Sequence, residues 1–326
     1  MSKPIWECRS IKEAAMRPEF YRFLSVGLRD LLFNAYKMAN VTYPSLVTFP
    51  PDSDKNKEGY PSLGATSLPE QVLEGQPFPE KSLPDDDMVE VTNHKFGEII
   101  AISDELIEDD QTRMIMRLPT DLGNAHAKQE DKTVYSIING NATGYDSQAW
   151  FGLNHPGFTG GAAISVNDNL YTNVTLSANA VATVLGMIAG WTGHASDDIL
   201  DVTATDLVVP ENLRYTARLL TESDALGLAY AAGNLGPAAS IGIGKNVLKE
   251  KNLGVVSSPR LDRTSTTDWY VKTDFPGFLF QWRKRLVWME ENENSGVRFE
   301  RGVRRWRTET RWRAKVVNWR CMFKVS

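Results

Sequence analysis

The stretch RRWRTETRWRAKVV, residues 304–317, alternates strictly between charged side chains and apolar or small ones. A charge stands at every odd position from Arg305 to Lys315, and tryptophan, threonine, alanine or valine stands at every even position from Trp306 to Val316. A repeat of two residues is typical of a β-strand with one buried face. The pattern therefore predicts a long strand whose tryptophan face packs on the core, because a free basic arm would not alternate with tryptophan so regularly.

The alternation changes phase at the pair Val316 and Val317. Beyond this pair the apolar side chains stand at odd positions, and Asn318, Arg320 and Lys324 form the polar set. One face can stay on the core only if the chain shifts its register at this point. We therefore expect a bulge or bend near Val316.

Charge is distributed unevenly along the 326 residues, although the net charge is only −5. Residues 281–326 hold 13 Lys and Arg against 5 Asp and Glu, whereas residues 1–280 hold 23 against 36. Between Asp52 and Glu90 there are ten acidic residues and three lysines, and seven of the 16 prolines fall in residues 49–87. This composition predicts either a disordered linker or a projecting hairpin. The arginines near the end then have two candidate partners, the acidic segment of a neighbouring copy and nucleic acid.

Helices and strands are interspersed, which predicts an α+β fold with a mixed sheet. Apolar stripes predict a helix over residues 18–37 and a second helix over residues 119–139 that Pro119 ends or restarts, with the QEDK stretch at 129–132 facing outward. Ser177 is the expected N-cap of a further helix. A strand is predicted at residues 207–209. Two more are predicted around a turn in NLGVVSSPRLDRTSTTDWYVKTD, the second of them being DWYVKTD.

No motif for catalysis, cofactor binding or metal binding is complete. The stretch SIGIGKN lacks the first glycine and the final Ser or Thr of a phosphate-binding loop, and the calcium-like spacing at residues 52–56 fails because Lys57 replaces a required glycine. The four histidines are scattered, and Cys8 and Cys321 are expected to be free thiols. We therefore expect no enzyme, no cofactor and no metal. A hydrolase with dispersed residues stays an alternative without a candidate triad.

Five longer motifs follow one another in a characteristic order between Phe96 and Asp274. They are FGEIIAISDELIEDD, RLPTDLGNAHAKQEDKTVYSIINGN, YDSQAWFGLNHP, DLVVPENLRYTARLL and SSPRLDRTSTTDWYVKTD. In these motifs, and in the order of its elements, the chain resembles the Mu-type major head subunits of tailed bacteriophages. That family resembles a branch of the capsid fold named after phage Hong Kong 97.

The resemblance implies an N-terminal arm, an extended loop that lies over an adjacent subunit, a peripheral domain built on a long spine helix, an axial domain and a closing strand. The arm would occupy residues 1–47, the extended loop 48–94, and the peripheral domain 95–164 with its spine helix at 119–139. The axial domain would occupy residues 165–295 and the closing strand 296–326. The resemblance also implies that the tryptophan face of the last strand packs on the spine helix. The arginine face would then meet neighbouring subunits or the packaged genome.

The function implied is that of a major capsid protein, whose pentamers and hexamers form an icosahedral head around double-stranded DNA. A portal is an expected partner. Many members of the family carry a long charged scaffolding segment before the arm, and because only some seventeen residues precede Pro18 here, a separate scaffolding protein is also expected. We expect synthesis in the host cytoplasm, a place in the virion and no membrane partner, since no apolar run is long enough to span one. The residues expected to face neighbouring subunits or the genome are Arg305, Arg307, Arg311, Arg313, Lys315, Asp85, Asp86 and Asp87.

Two alternative functions stay open at this point. The same fold builds encapsulin compartments, and no sequence feature separates such a shell from a phage head. A non-specific DNA-binding protein would use the arginine strand and would bind with a strong dependence on salt.

Overall fold

The structure is a computed structural model, and it describes residues 18–61, 72, 88–109, 114–144, 146, 148–153, 155, 167–192, 199–227, 243–291 and 300–326. Within them the helices α1–α5 span, in chain order, Pro18–Met38, Asp104–Asp109, Met114–Gly140, Ala178–Ala189 and Arg214–Glu222. The strands β1–β13 span Lys57–Pro61, Met88–Thr92, His94–Phe96, Ile99–Ser103, Leu170–Tyr171, Ala204–Pro210, Ala225–Gly227, Ile243–Lys245, Gly254–Ser258, Trp269–Thr273, Phe278–Glu290, Val303–Val316 and Met322–Val325. This mixture confirms the predicted α+β class.

Two sheets organise these elements. In the first sheet β12 is central and antiparallel to all its neighbours, with β11 on one side and β3 and β4 on the other. The second sheet has the order β5-β13-β10-β6-β9, in which β13 runs parallel to β5 and β6 runs parallel to β9. The predicted mixed sheet is this second one.

Strand β12 confirms the predicted alternation. Every even position from Trp306 to Val316 is buried. Trp306 shares an apolar cluster with Leu28 of α1 and Ile115 of α3, and the Thr308 hydroxyl lies 2.9 Å from Nε2 of His126 on α3. The tryptophan face therefore packs on helix α3, as expected.

The expected bend follows Val316, but the chain does not continue as one strand. The backbone N–H groups of Val317 and Asn318 both donate to the carbonyl oxygen of Gly277, at 2.7 and 3.2 Å. A 3-10 turn over Trp319–Cys321 then turns the chain into β13, which belongs to the second sheet. The prediction that Arg320 lies on a polar face is wrong, because the turn rotates it inward and it is only 2% exposed.

The domain boundaries expected near residue 295 do not follow the sheets. Strand β11 lies within the expected axial domain, yet it pairs with β12 along most of its length. Strand β13 lies within the expected closing segment, yet it pairs with β10 and β5. Strand β11 thus belongs to the first sheet and β13 to the second. Domains that follow the sheets would place β11 with the peripheral elements and β13 with the axial elements. The division itself stays a prediction.

Helix α3 begins at Met114 and passes through Pro119, so the expectation that Pro119 ends or restarts a helix is wrong. A proline inside a helix removes one backbone donor and crowds the preceding turn. Here the turn before it is held by tertiary packing, because Ile115 is buried against Leu28 and Trp306.

Helix α1 lies along α3 and runs in the same direction. Leu28 packs beside the start of α3, whereas Tyr36 reaches Glu130, about two turns beyond Leu122. The two helices approach most closely at Gly123, where a Cβ atom would overlap the carbonyl oxygen of Leu32. This glycine therefore sets the spacing between the two helices.

The largest apolar cluster joins the two sheets through α3. It contains Val134, Tyr135 and Ile138 of α3, Phe280 and Trp312 of the first sheet, and many residues of the second sheet and α4. Its aromatic rings are in direct contact: those of Phe280 and Trp312 stack at 4.9 Å between centroids. The two sheets thus share one core.

Several local predictions are confirmed. The Ser177 hydroxyl accepts a hydrogen bond from the Ala180 N–H at 3.2 Å and caps α4. Residues 207–209 lie within β6, NLGVV contains the start of β9, and DWYVKTD contains β10.

The described part of the acidic segment is a strand pair and not a linker. Strand β1 pairs antiparallel with β2, with Lys57 opposite Thr92 and Pro61 opposite Met88. Val89 of β2 forms a small apolar cluster with Leu279 of β11 and with Val317 of the bend after β12. The base of a hairpin is therefore fixed to the first sheet, and residues 62–71 and 73–87 lie outside the described residues.

Candidate functional site

The five cations predicted to face outward all lie on the same side of β12. Arg307 is exposed, and Arg305, Arg311, Arg313 and Lys315 are partly exposed. Asp85, Asp86 and Asp87 lie outside the described residues, so the structure does not test their proximity to this arginine face.

A buried carboxylate lies in the middle of this arginine face. The Glu309 side chain is only 4% exposed, yet it stands on the charged side of the strand. Four cations surround it: Arg311 and Lys284 approach one carboxylate oxygen at 3.2 and 3.3 Å, and Arg307 and Lys95 approach the other at 3.6 Å. Burial acts to raise the pKa of Glu309, but these cations outweigh it and hold the pKa below its usual range. The arginine face is thus organised around one fixed anion and is less positive than its sequence indicates.

The other cations of this face also have partners within the chain. Arg305 lies 3.7 Å from a Glu291 carboxylate oxygen, and Arg313 donates to Nδ1 of His94 at 3.0 Å. Lys315 donates to the Glu90 carbonyl oxygen at 2.8 Å. Partial burial and the adjacent Arg313 lower the pKa of His94, so its ring is neutral and can accept this hydrogen bond.

The base of the acidic segment also contacts its own chain. Asp52 forms a two-point salt bridge with Arg285 of β11, at 3.1 and 3.2 Å. Such exposed pairs contribute little free energy, but this one shows that part of the acidic charge already meets a cation of the same subunit.

A second polar cluster, which the sequence did not predict, joins α1, α3 and the loop after β9. Asp131 of α3 accepts hydrogen bonds from the backbone N–H groups of Thr42 and Tyr43, at 3.1 and 3.0 Å, and from the Arg260 guanidinium. The prediction that QEDK faces outward is therefore wrong for its two acidic residues. Glu130 and Asp131 are 2% and 5% exposed, because α3 is covered on two sides and not on one.

Glu130 is the second buried carboxylate of this cluster. The hydroxyl groups of Tyr36 and Tyr43 both donate to it at 2.8 Å. Burial raises the pKa of Glu130 to about 7, although both tyrosine hydrogen bonds act to lower it. This carboxyl group therefore titrates close to neutral pH.

The raised pKa of Glu130 makes the stability of the protein depend on pH. The folded chain holds this proton more tightly than the unfolded chain, so the contribution is complete below pH 4.5 and is lost as the pH rises to about 7. The loss amounts to about 3 kcal/mol. Glu130→Gln should abolish it, since glutamine does not ionise in this range. Urea unfolding of both proteins at pH 4.5, 6 and 7.5 measures the difference between them, and a difference that stays constant with pH would contradict this assignment.

Next to this cluster a cleft of about 940 Å³ opens between α3, α5, β9 and the segment that follows α1. Its lining includes Lys128 and Asp131 of α3, Arg214 and Arg218 of α5, the run from Val255 to Arg260, and Arg263. Five of the lining residues are cations and two are acidic. The cleft is thus a second basic surface, distinct from the arginine face.

The described residues offer no other recognisable site. They contain no group of three or more His, Cys, Asp or Glu side chains that could hold a metal ion. No helix among them is both long and apolar enough to cross a membrane. Cys321 is buried, and burial raises the pKa of its thiol well above the usual range, which makes it unreactive.

The chain matches the family model described as phage capsid protein over residues 88–325, which include both sheets and helix α3. It belongs to the phage capsid protein family. The family is one of structural proteins, so no catalytic site is needed to explain the buried carboxylates and arginines of this capsid protein. No curated protein matches it in sequence.

Solved structures show the same fold at low sequence identity. The subunit in the procapsid of bacteriophage JBD30 is 16% identical with a TM-score of 0.51, over 95% of this chain and 75% of that one. The capsid subunit of a native GTA particle is 11% identical with a TM-score of 0.52, over 87% and 89%. The virus-like particle from Pyrococcus furiosus is 9% identical with a TM-score of 0.50, over 92% and 98%. These likenesses establish the capsid fold.

The expected capsid fold is therefore confirmed, whereas the Mu-type affiliation is narrower than these findings. The arginine face could be found from the sequence because a period of two marks a strand. The burial of Glu309 could not be predicted, since a glutamate at an odd position of the alternation is expected to be exposed like the arginines around it. The Asp131 cluster was also missed, because its partners lie 88 or more residues away in the sequence.

Proposed function

We propose that this capsid protein is the major subunit of a phage head, and that its pentamers and hexamers enclose double-stranded DNA in an icosahedral shell. The observation that carries the proposal is the family match over residues 88–325. The subunit catalyses no reaction. Closed symmetric association lets many modest interfaces add up to a stable shell.

Within this proposal the segment from residue 48 to 94 extends over a neighbouring subunit. The described strands β1 and β2 support it, because they form an antiparallel pair that ends with Pro61 opposite Met88, so both ends of the segment between them lie side by side. The arginine face of β12 is proposed to meet a neighbour or the genome through the outward side of its cations. A portal, a separate scaffolding protein and synthesis in the host cytoplasm complete the proposal.

A shell that encloses proteins instead of DNA is the second candidate. The observation in its favour is the fold likeness to the virus-like particle from Pyrococcus furiosus, whose TM-score of 0.50 is close to that of the phage subunits. The family match to phage capsid proteins favours the phage head. Electron microscopy of shells purified from the natural source, with analysis of their contents for DNA and protein, separates the two.

Removing residues 62–87 should leave a folded subunit that does not form shells. Pro61 and Met88 are register partners, so a two-residue Asn-Gly turn can join β1 to β2 without strain. The core residues Val89 and Val91 are kept. Sedimentation velocity and electron microscopy measure assembly, and circular dichroism measures folding.

A matched control replaces the same residues with a Gly/Ser linker of equal length. If contacts of this segment drive assembly, the linker variant should fail as the deletion does. Shells at normal yield from the deletion variant would contradict the role of the segment.

A further inference from the structure

Strand β9 forms an open edge of the second sheet. It pairs with β6 on one side, and within the described residues no strand pairs with its other side. The cleft of about 940 Å³ is lined by Val255, Val256 and Ser257 of β9 and by no residue of its partner β6. An exposed strand edge is a template for the addition of another extended segment.

The cleft contains cations without carboxylate partners among the described residues, which favours the binding of an acidic segment. Both of its acidic residues have partners already, Asp131 with Arg260 and Glu211 with Arg214 at 2.8 Å. Lys128 and Arg263 line the cleft, and neither forms a salt bridge within the described part of the chain. The cleft thus holds positive charge that no carboxylate of the described fold neutralises.

The arginine face of β12 is the competing receptor for acidic residues, and it is less suitable. Four of its surrounding cations converge on Glu309 at 3.2–3.6 Å. An incoming carboxylate would have to compete with this fixed anion. In the cleft, Lys128 and Arg263 have no salt-bridge partner among the described residues, and they lie beside a strand edge that no described strand covers.

One stretch of the chain fits the cleft in charge and in length. Residues 62–87 hold six acidic residues and one lysine. Within them EQVLEGQ, residues 70–76, is free of proline and is flanked by Pro69 and Pro77. Seven residues suffice to cover the five of β9. In a strand Glu70 and Glu74 would fall on the same side as each other, where they can meet the cations of one wall.

We propose that residues 70–76 of a second copy of this chain add as a strand to β9 and place Glu70 and Glu74 beside Lys128 and Arg263. The inference rests on the proposed function, since it names the surface on which the acidic segment of a neighbouring subunit lies. Main-chain hydrogen bonds supply affinity, and the charges select the segment and its register.

Binding of a labelled peptide of residues 67–78 to the intact subunit tests the receptor. Lys128→Glu with Arg263→Glu should weaken binding, measured by fluorescence anisotropy, by about tenfold or more. A peptide with Glu70→Lys and Glu74→Lys should show the opposite preference. It should bind the variant with Lys128→Glu and Arg263→Glu better than the natural protein. The matched control is Lys37→Glu with Lys251→Glu, which changes the net charge equally at exposed positions outside the cleft.

Equal affinity of the cleft variant and the control variant would overturn the proposal. The proposal would also be overturned if the cleft variant lost affinity for a short DNA duplex but bound the peptide as well as the natural protein does. The cleft would then be a nucleic-acid surface.

Cross-linking of assembled protein tests whether the segment comes from a second copy. A carbodiimide joins carboxylates to amines, so an equal mixture of ¹⁵N-labelled and unlabelled subunits should yield peptides that join Lys128 to Glu70 or Glu74 with mixed labels. Lys128→Arg is the control, because it keeps the charge but removes the reactive amine. Only same-label pairs, or links from Glu70 and Glu74 to Lys95 or Lys284 instead, would overturn the proposal.

The two experiments separate this inference from the proposed function. If shells form and the mixed-label link to Lys128 is missing, the cleft assignment fails and the proposed function stands. If the mixed-label link forms in capsomers but no closed shell is ever observed, the cleft assignment stands and the proposed function fails.

Discussion

Trp319→Ala is expected to lower the free energy of unfolding by about 3–5 kcal/mol, the range found when a fully buried aromatic side chain is removed. Trp319 is 0% exposed and lies in the turn that carries the chain from one sheet to the other. Its ring stacks on His155 at 4.5 Å, meets Trp191 edge-on at 5.1 Å and lies 4.3 Å from the Arg320 guanidinium carbon.

The loss is large because the neighbours of Trp319 cannot move into the cavity. His155 is fixed at both ring nitrogens, with Nδ1 2.6 Å from the Asp146 carboxylate and Nε2 3.1 Å from Oδ1 of Asn169. Burial acts to raise the pKa of Asp146, but the hydrogen bond and the charge of His155 outweigh it and lower the pKa below its usual range. The imidazole therefore keeps its place against a carboxylate that stays ionised.

Urea unfolding followed by far-UV circular dichroism measures this loss. Trp319→Phe keeps a ring against His155 and should lose distinctly less than the alanine variant. Tyr215→Ala is the control for aromatic content, since Tyr215 is 78% exposed and should change stability by less than about 0.5 kcal/mol. A loss below about 1 kcal/mol for Trp319→Ala would contradict the packing described for this turn.

Asp131→Ala is expected to destabilise the protein by about 3–5 kcal/mol, because it leaves a partly buried cation and two backbone donors without their acceptor. Those donors are Arg260 and the N–H groups of Thr42 and Tyr43. They belong to the segment that follows α1 and to the loop after β9, so the variant should also loosen α1 from α3. Limited proteolysis within residues 38–45 should accordingly become faster than in the natural protein.

Asp131→Asn is the matched control for this second variant. Asparagine keeps an oxygen that can accept the two backbone hydrogen bonds but loses the charge that pairs with Arg260, so its loss should be about 1–3 kcal/mol. Equal losses for the alanine and asparagine variants would show that the charge pair matters and the cap on Thr42 and Tyr43 does not.

The sequence predicted those parts of the fold that depend on local periodicity. The alternation of β12 and the Ser177 cap of α4 were found because each depends on residues a few positions apart. Pairings over long distances were not found. Nothing near β4 indicates that it pairs with β12, because Val303 of β12 lies 200 residues beyond its partner Ser103.

In the candidate site too, the features that depend on residues distant in the sequence were not predicted. The arginine face was placed correctly on the outer side of β12, but its electrostatics depend on Lys95 and Lys284, which come from two other strands. Glu130 and Asp131 were expected to face solvent, because polar residues on a helix usually do. Only the approach of α1 and of the loop after β9 makes them buried and bonded.

The position of β12 and β13 within the sheets has a consequence for synthesis of the protein. Both are interior strands, β12 between β11 and the pair β3 and β4, and β13 between β5 and β10. Both also come last among the described strands, so neither sheet can close until the ribosome has passed residue 325. Non-local pairing of this kind delays folding until late in translation. A chain released before residue 303 would lack the middle of both sheets, and a truncated product would be recognised as unfolded instead of entering a growing particle.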